Sequence, residues 1–162
     1  MDIVILIGSE SDLDIVADAR RILEEFGVSH RLEVSSAHRS PERTRTLITE
    51  SEEQGAKIFI AVAGKAAHLA GFVAGQTTLP VIGVPVESGG LGGMDALLST
   101  VQMPKGVPVA TMGLGKSGAS NAAVLAVQIL SLADPALRKK LVEYKKTLAA
   151  QVENSSRSIR KS

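Results

Sequence analysis

The chain has 162 residues, enough for one globular domain with a sizeable core, and 44% apolar against 22% charged residues is the balance of an ordinary water-soluble protein. Eighteen Lys and Arg against seventeen Asp and Glu leave a formal net charge of +1, and one Tyr, three Phe and no Trp offer few rings for stacking on bases, which argues against nucleic acid as a partner. No apolar run approaches the roughly 20 residues of a membrane span, Asp2 before a strand-length apolar run is unlike a signal peptide, and the absence of Cys excludes disulfides, thiolate nucleophiles and Cys-held zinc; no membrane partner and a cytoplasmic location are expected.

Ile3-Val4-Ile5-Leu6-Ile7 is apolar throughout, as in a parallel strand buried on both faces. Gly8-Ser9-Glu10-Ser11-Asp12 turns from it into a helix near 11–26, whose Ile15, Val16, Ala19, Ile22, Leu23 and Phe26 share one face. A turn that opens a helix aims free N–H groups and the positive end of the dipole into the loop, where a phosphate or carboxylate is favoured. Two readings stand for its polar residues: Ser11 or Asp12 caps the helix, or Ser9, Ser11 and the N–H groups take a phosphate while Asp12 accepts from a ribose hydroxyl.

A second strand near 30–34 leads into Ser35-Ser36-Ala37-His38-Arg39-Ser40-Pro41. Ser40 reads as an N-cap and Pro41 as the first residue of a helix near 41–54, but capping does not explain His38 and Arg39. Arg39 offers a planar fork for phosphate or carboxylate, and His38 is the side chain best suited to exchange a proton near neutral pH. A third strand near 57–63 is followed by Ala63-Gly64-Lys65-Ala66-Ala67-His68-Leu69, whose small residues let a planar ligand approach the backbone, and by a helix near 65–75. A lone His68 at a helix start is more often structural than catalytic. Three scattered His and no carboxylate pair at ligand spacing predict no metal.

A strand near 80–86 runs into Glu87-Ser88-Gly89-Gly90-Leu91-Gly92-Gly93, either a mobile lid or a turn, before a helix near 93–101. After a strand near 107–112, Gly113-Leu114-Gly115-Lys116-Ser117-Gly118 satisfies G-x-G-x-x-G, but no next strand follows to carry a ribose-binding acid. The same stretch ends like a P-loop, with Ala110 in place of its first Gly. A helix near 117–132 follows, and beyond Ala133-Asp134-Pro135 a last helix to about 153 repeats Leu137, Leu141, Tyr144, Leu148 and Val152 every three or four residues. That stripe packs either on its own domain or on a neighbouring subunit. Residues 154–162 are polar and basic and are expected to fray.

This alternation predicts an α/β, flavodoxin-like three-layer α/β/α sandwich with a five-stranded parallel sheet and an extra C-terminal helix. A single catalytic domain is expected over 1–153, with a flexible tail over 154–162. Ligands gather at the carboxyl ends of such strands, so the loops after Gly8, Ser36 and Gly64 are expected to converge on one pocket.

Gly8-Ser9-Glu10-Ser11-Asp12, Ser36-Ala37-His38-Arg39, Ala66-Ala67-His68-Leu69 and Val101-Gln102-Met103-Pro104 closely resemble the N5-carboxyaminoimidazole ribonucleotide mutases and related aminoimidazole ribonucleotide carboxylases of purine biosynthesis. Order and spacing match through Gly115-Lys116-Ser117-Gly118-Ala119-Ser120-Asn121-Ala122-Ala123. The resemblance implies a homo-octamer with sites built from more than one subunit, no metal or organic cofactor, and an ATP-dependent enzyme that supplies the carbamate substrate. Carbon dioxide would pass from the exocyclic nitrogen to ring carbon 4. Carried onto this chain, Ser9, Asp12 and Arg39 bind the ribonucleotide, Ser36 and Ser11 help hold its phosphate, and His38 is the acid/base. His68 with Ala66 and Ala67 lines the imidazole and carboxylate pocket, which Ala37, Gly64, Lys65 and Leu69 complete.

Two departures from the family pattern stand out. The common bacterial mutases have Gly where this chain has Lys65 and Pro where it has Ala70, and Gly89 and Gly90 are unusual in the lid. Lys65 either binds an incoming carboxylate or bicarbonate or faces solvent. The direct carboxylases, which take carbon dioxide or bicarbonate, are the near alternative to a mutase; a non-catalytic nucleotide-binding module is the distant one, and it has no need of His38 beside Arg39.

Overall fold

Five apolar residues in succession give β1 (Ile3–Ile7) no polar side to turn outward, and all five are fully buried in the computed structural model, which describes residues 1–160. β3 (Ile58–Gly64) and β4 (Val81–Val86) are apolar in the same way and buried along almost their whole length. With β2 (His30–Val34) and β5 (Ala110–Thr111) they form one parallel sheet in the order β2-β1-β3-β4-β5. This is the α/β, flavodoxin-like arrangement expected from the alternation of elements.

β2 lies at one edge and carries the polar sequence an edge tolerates, with Arg31 Nε 3.2 Å from Glu33 Oε1. At the other edge β5 is far shorter than the expected 107–112. Pro108 has no N–H to give a ladder there, and pairing reaches only Ile82 with Ala110 and Gly83 with Thr111.

The connecting helices are α1 (Leu13–Phe26), α2 (Pro41–Glu53), α3 (Leu69–Ala74), α4 (Met94–Val101) and α5 (Gly115–Leu130). α1 buries Val16, Ala19, Ile22, Leu23 and Phe26, the expected face without Ile15. It stops at Gly27, left-handed at φ 73°, where the Gly27 and Val28 N–H groups close on the carbonyls of Glu24 and Leu23.

The described chain forms two compact units, one over Met1–Ala126 and the other from Val127 onward. The second contains the end of α5 and α6 (Pro135–Ile159). Asp134 caps α6 by accepting from the Ala136 and Leu137 N–H groups at 2.8 and 3.2 Å, with Pro135 in the first turn. The helix runs on past the expected end near 153. Ser155 and Ser158 return their hydroxyls to the carbonyls of Gln151 and Asn154, and Arg157 pairs with Glu153 at 3.6 Å, so this polar stretch satisfies itself as a helix. The last two residues of the expected tail lie outside the described residues.

Candidate active site

Four loops, at the carboxyl ends of β1, β2, β3 and β4, line one cleft of about 560 Å³. β1 is flanked by β2 and β3, so the chain reverses direction across the sheet at this point, where open parallel sheets leave a crevice.

The β1 loop stays pinned to the sheet, since the Gly8 N–H donates to the Val62 carbonyl at 2.9 Å. Ser9 is extended, and its hydroxyl accepts from the Ser11 N–H at 3.4 Å, capping a single 3-10 turn over Glu10–Asp12 that precedes α1. The cap is therefore Ser9 rather than Ser11 or Asp12; Asp12 makes no side-chain cap bond. Asp12 is only 9% exposed. Burial pushes its carboxyl above the usual carboxylate range, against the pull of hydrogen bonds from Ser9 and Ser11.

The β2 loop continues from the Ser35 N–H, which donates to the Ile7 carbonyl at 2.8 Å. The Thr44 hydroxyl donates to the Ser40 carbonyl at 3.1 Å, which leaves Ser35 as donor in the 2.7 Å bond between Ser35 and Thr44 hydroxyls. Pro41 opens α2 as expected. Ser40 is at the cap position but its hydroxyl turns back to the Ser36 carbonyl at 3.2 Å instead of accepting from the helix. Arg39 reaches across the two loops: its Nε is 3.4 Å from Ser36 Oγ and its Nη2 donates to the Gly8 carbonyl at 3.4 Å. Both bonds are long, so the exposed guanidinium is held in place with donors left for an anion.

β3 ends at Gly64, where a Cβ would run into Ser88 Oγ from the β4 loop. Lys65 then turns left-handed at φ 55°, the only non-glycine among the described residues to do so. The Ala67 and His68 N–H groups close on the carbonyls of Lys65 and Ala66, both at 2.8 Å, and this tight turn delays α3 to Leu69 instead of the expected 65. It also aims His68 back toward β2. His38 Nε2 lies 2.8 Å from His68 Nδ1, with ring centroids 4.9 Å apart and the planes at 83°. One facing nitrogen has to donate and the other to accept, so the pair holds one proton between its rings.

The cleft gathers Ser9, Ser11, Asp12, Ser36, Ala37, His38, Arg39, Gly64, Lys65, Ala66, His68 and Leu69, and with them Gly8, Ser35, Ala63 and Ser88. Ala67 is absent from its wall: the turn sends it inward, to 1% exposure. Ser88 was legible only as a serine in a glycine-rich loop, whereas Ser35 belongs to the Ser35–Arg39 stretch that the sequence singles out, with no role of its own assigned. The G-x-G-x-x-G stretch does not line the cleft. Its Gly118 packs where a Cβ would overlap the Gly113 carbonyl, and Lys116 is held 2.6 Å from Asp14, which raises its already high pKa. Among the described residues no cluster of three His, Cys, Asp or Glu is arranged to hold a metal, and no helix is long and apolar enough to cross a membrane.

The family model described as AIR carboxylase matches residues 2–151. The chain is 49% identical over 158 residues to the N5-carboxyaminoimidazole ribonucleotide mutase of Methanocaldococcus jannaschii, covering 98% of this chain and 97% of that protein. It is 51% identical over 152 residues to the mutase of the same name from Bacillus subtilis, with 94% of each covered. Among solved structures it resembles PurE of Treponema denticola, with a TM-score of 0.85 and 29% identity over 94% of each chain. A cleft at the switch point of the sheet, a shared-proton imidazole pair inside it and a match along nearly the whole chain agree: the chain belongs to the AIR carboxylase family.

Proposed function

We propose that this chain isomerises N5-carboxyaminoimidazole ribonucleotide to 4-carboxy-5-aminoimidazole ribonucleotide in purine biosynthesis. The observation that carries the reading is the 2.8 Å bond between His38 and His68 inside the cleft. Arg39 and the hydroxyls of Ser9, Ser11 and Ser36 take the phosphate, and Asp12 accepts from a ribose hydroxyl. The carbamate C–N bond breaks to give carbon dioxide and leaves its electron pair on nitrogen, which needs a proton; ring carbon 4 then attacks carbon dioxide and sheds one. His38 serves both steps, because the proton it gives to nitrogen is replaced by the one leaving carbon 4. His68 supports it by holding the ring and sharing the proton when His38 is between transfers. The small residues Ala37, Ala66 and Gly64 keep room for a planar ring against the backbone, and Ser88 in the loop over the cleft helps exclude water while carbon dioxide is free.

The reading carries a homo-octamer in the cytoplasm, fed by an ATP-dependent enzyme that makes the carbamate. In support of assembly, Met94, Leu98 and Val101 form an exposed apolar stripe along α4, and Leu91 is exposed in the turn before it. The test supplies purified protein with freshly made N5-carboxylated nucleotide at low bicarbonate and follows the 4-carboxylated product by its ultraviolet absorbance. Turnover is expected. Product formed only from the uncarboxylated nucleotide, saturating with bicarbonate, assigns a direct carboxylase instead; no product from either leaves a binding module.

A further inference from the structure

We propose that Lys65 is the residue that grips the carboxylate of the nucleotide, so that this site discriminates a carboxylated nucleotide from the same nucleotide without its carboxylate; the inference rests on the function proposed above. Lys65 is the only non-glycine among the described residues in the left-handed region, at φ 55°. A side chain is disfavoured there and glycine is the natural occupant, so retention of a long cationic side chain at the edge of a cleft calls for a use. No internal partner supplies one. Lys57, Lys116 and Lys146 are held by Asp2, Asp14 and Glu143, whereas among the described residues Lys65 forms no ion pair.

Its place in the cleft identifies the ligand group. Arg39 is tied to Ser36 and Gly8, on the β1 and β2 side of the cleft. Lys65 stands at the end of β3, three residues before His68, whose ring meets His38. The cleft thus has one cation tied into its β1 and β2 loops and a second, without an ion pair, on its β3 loop, and the His38–His68 bond joins the β2 and β3 loops. A nucleotide with a phosphate at one end and a carboxylate at the other matches both; a nucleotide lacking the carboxylate matches only Arg39. The ammonium attracts the carboxylate in substrate and in product, and loses its hold when neutral carbon dioxide forms between them. Such an interaction strengthens binding of both ends of the reaction without favouring C–N cleavage, so its loss falls on KM more than on kcat.

The experiment is titration calorimetry of two nucleotides, the stable 4-carboxylated aminoimidazole ribonucleotide and its uncarboxylated counterpart, against the unaltered protein and against Lys65→Ala, Lys65→Arg and Lys65→Gly. Lys65→Ala is expected to weaken the carboxylated nucleotide by about tenfold and the uncarboxylated one by less than about twofold, with Lys65→Arg restoring most of the difference. Lys65→Gly relieves the left-handed strain, so it is expected to melt at a higher temperature while showing the same selective loss, which separates lost charge from a damaged loop. Equal weakening of both nucleotides, or of neither, overturns the assignment of Lys65 alone. Failure of the unaltered protein to bind either nucleotide overturns the proposed function and this inference together.

Discussion

At Asp12 the needs of folding and of binding oppose each other. Its carboxyl is raised by burial, so the folded chain favours the neutral acid; that contribution is fully present below the unfolded-state carboxylate value and is lost as pH rises through the higher folded one. At neutral pH the buried anion is a cost, which the hydrogen bond proposed from a ligand hydroxyl would offset. Asp12→Asn is therefore expected to raise stability by up to about 1 kcal/mol at pH 7, with the advantage vanishing below about pH 4, while weakening nucleotide binding roughly tenfold. Thermal melts at the two pH values and calorimetry at pH 7 check it; a variant less stable at pH 7 contradicts the burial argument. Most residues that line the cleft were legible one by one, because helix capping gives no reason for His38 and Arg39 to follow a strand together. What the chain order hid was the contact of His38 with His68, which lies 30 residues away and becomes a neighbour only through the sheet. Ala67 was misplaced for a related reason: alternate residues of a tight turn face opposite ways, and small size alone does not say which faces the ligand.

Among the elements, the N-terminal ends of three strands are fastened at one point. Asp2, just before β1, accepts from the Ser29 hydroxyl before β2 at 2.5 Å and lies 2.8 Å from Lys57 Nζ before β3. The hydrogen bond from Lys57, then that from Ser29, holds the Asp2 carboxyl below the ordinary range, so its contribution is present above the unfolded-state value of 3.8 and is lost as pH falls through the lower folded one. Partial exposure limits the effect: Asp2→Asn is expected to cost less than about 1 kcal/mol at neutral pH, a difference that closes in acid denaturation series below about pH 4. In α5, Gly118→Ala would drive a Cβ into the Gly113 carbonyl oxygen, a backbone atom that cannot swing aside, whereas a Cβ on Gly113 meets nothing within 4 Å. Gly118→Ala is expected to lose more than about 2 kcal/mol by chemical denaturation and Gly113→Ala much less; similar losses would contradict the packing account. This also explains a motif that looked like nucleotide chemistry and is local packing. Apolar runs revealed β1 and β3 because buried parallel strands need them; β2 was legible as a strand near 30–34, but its place at the edge appears only in the sheet order. The short β5, the late start of α3 and the long α6 were not legible, because a missing Pro108 N–H, a left-handed Lys65 and serine-to-carbonyl bonds act below the resolution of hydrophobic periodicity.

For the molecule as a whole, the strand order decides which loops meet. Placing β1 between β2 and β3 brings three loops together at the point where the sheet reverses, and the His38–His68 bond spans the end of β1. The apolar stripe of α4 belongs to this scale too. Met94 and Leu98 are 55% and 48% exposed on a helix whose Ala96 and Thr100 face the core. If that stripe joins copies of the chain, Met94→Glu with Leu98→Glu yields a smaller species in sedimentation velocity while the isolated fold keeps its circular dichroism; an unchanged sedimentation coefficient removes α4 from the assembly. Whether the sheet delivers His38 to the reacting nucleotide as its single acid and base is decided by His38→Asn, with turnover and nucleotide affinity measured on the same preparation. Affinity is expected to stay within a few-fold of the unaltered protein while turnover falls by about 10²–10⁴; turnover that survives intact would remove His38 from the proton transfers.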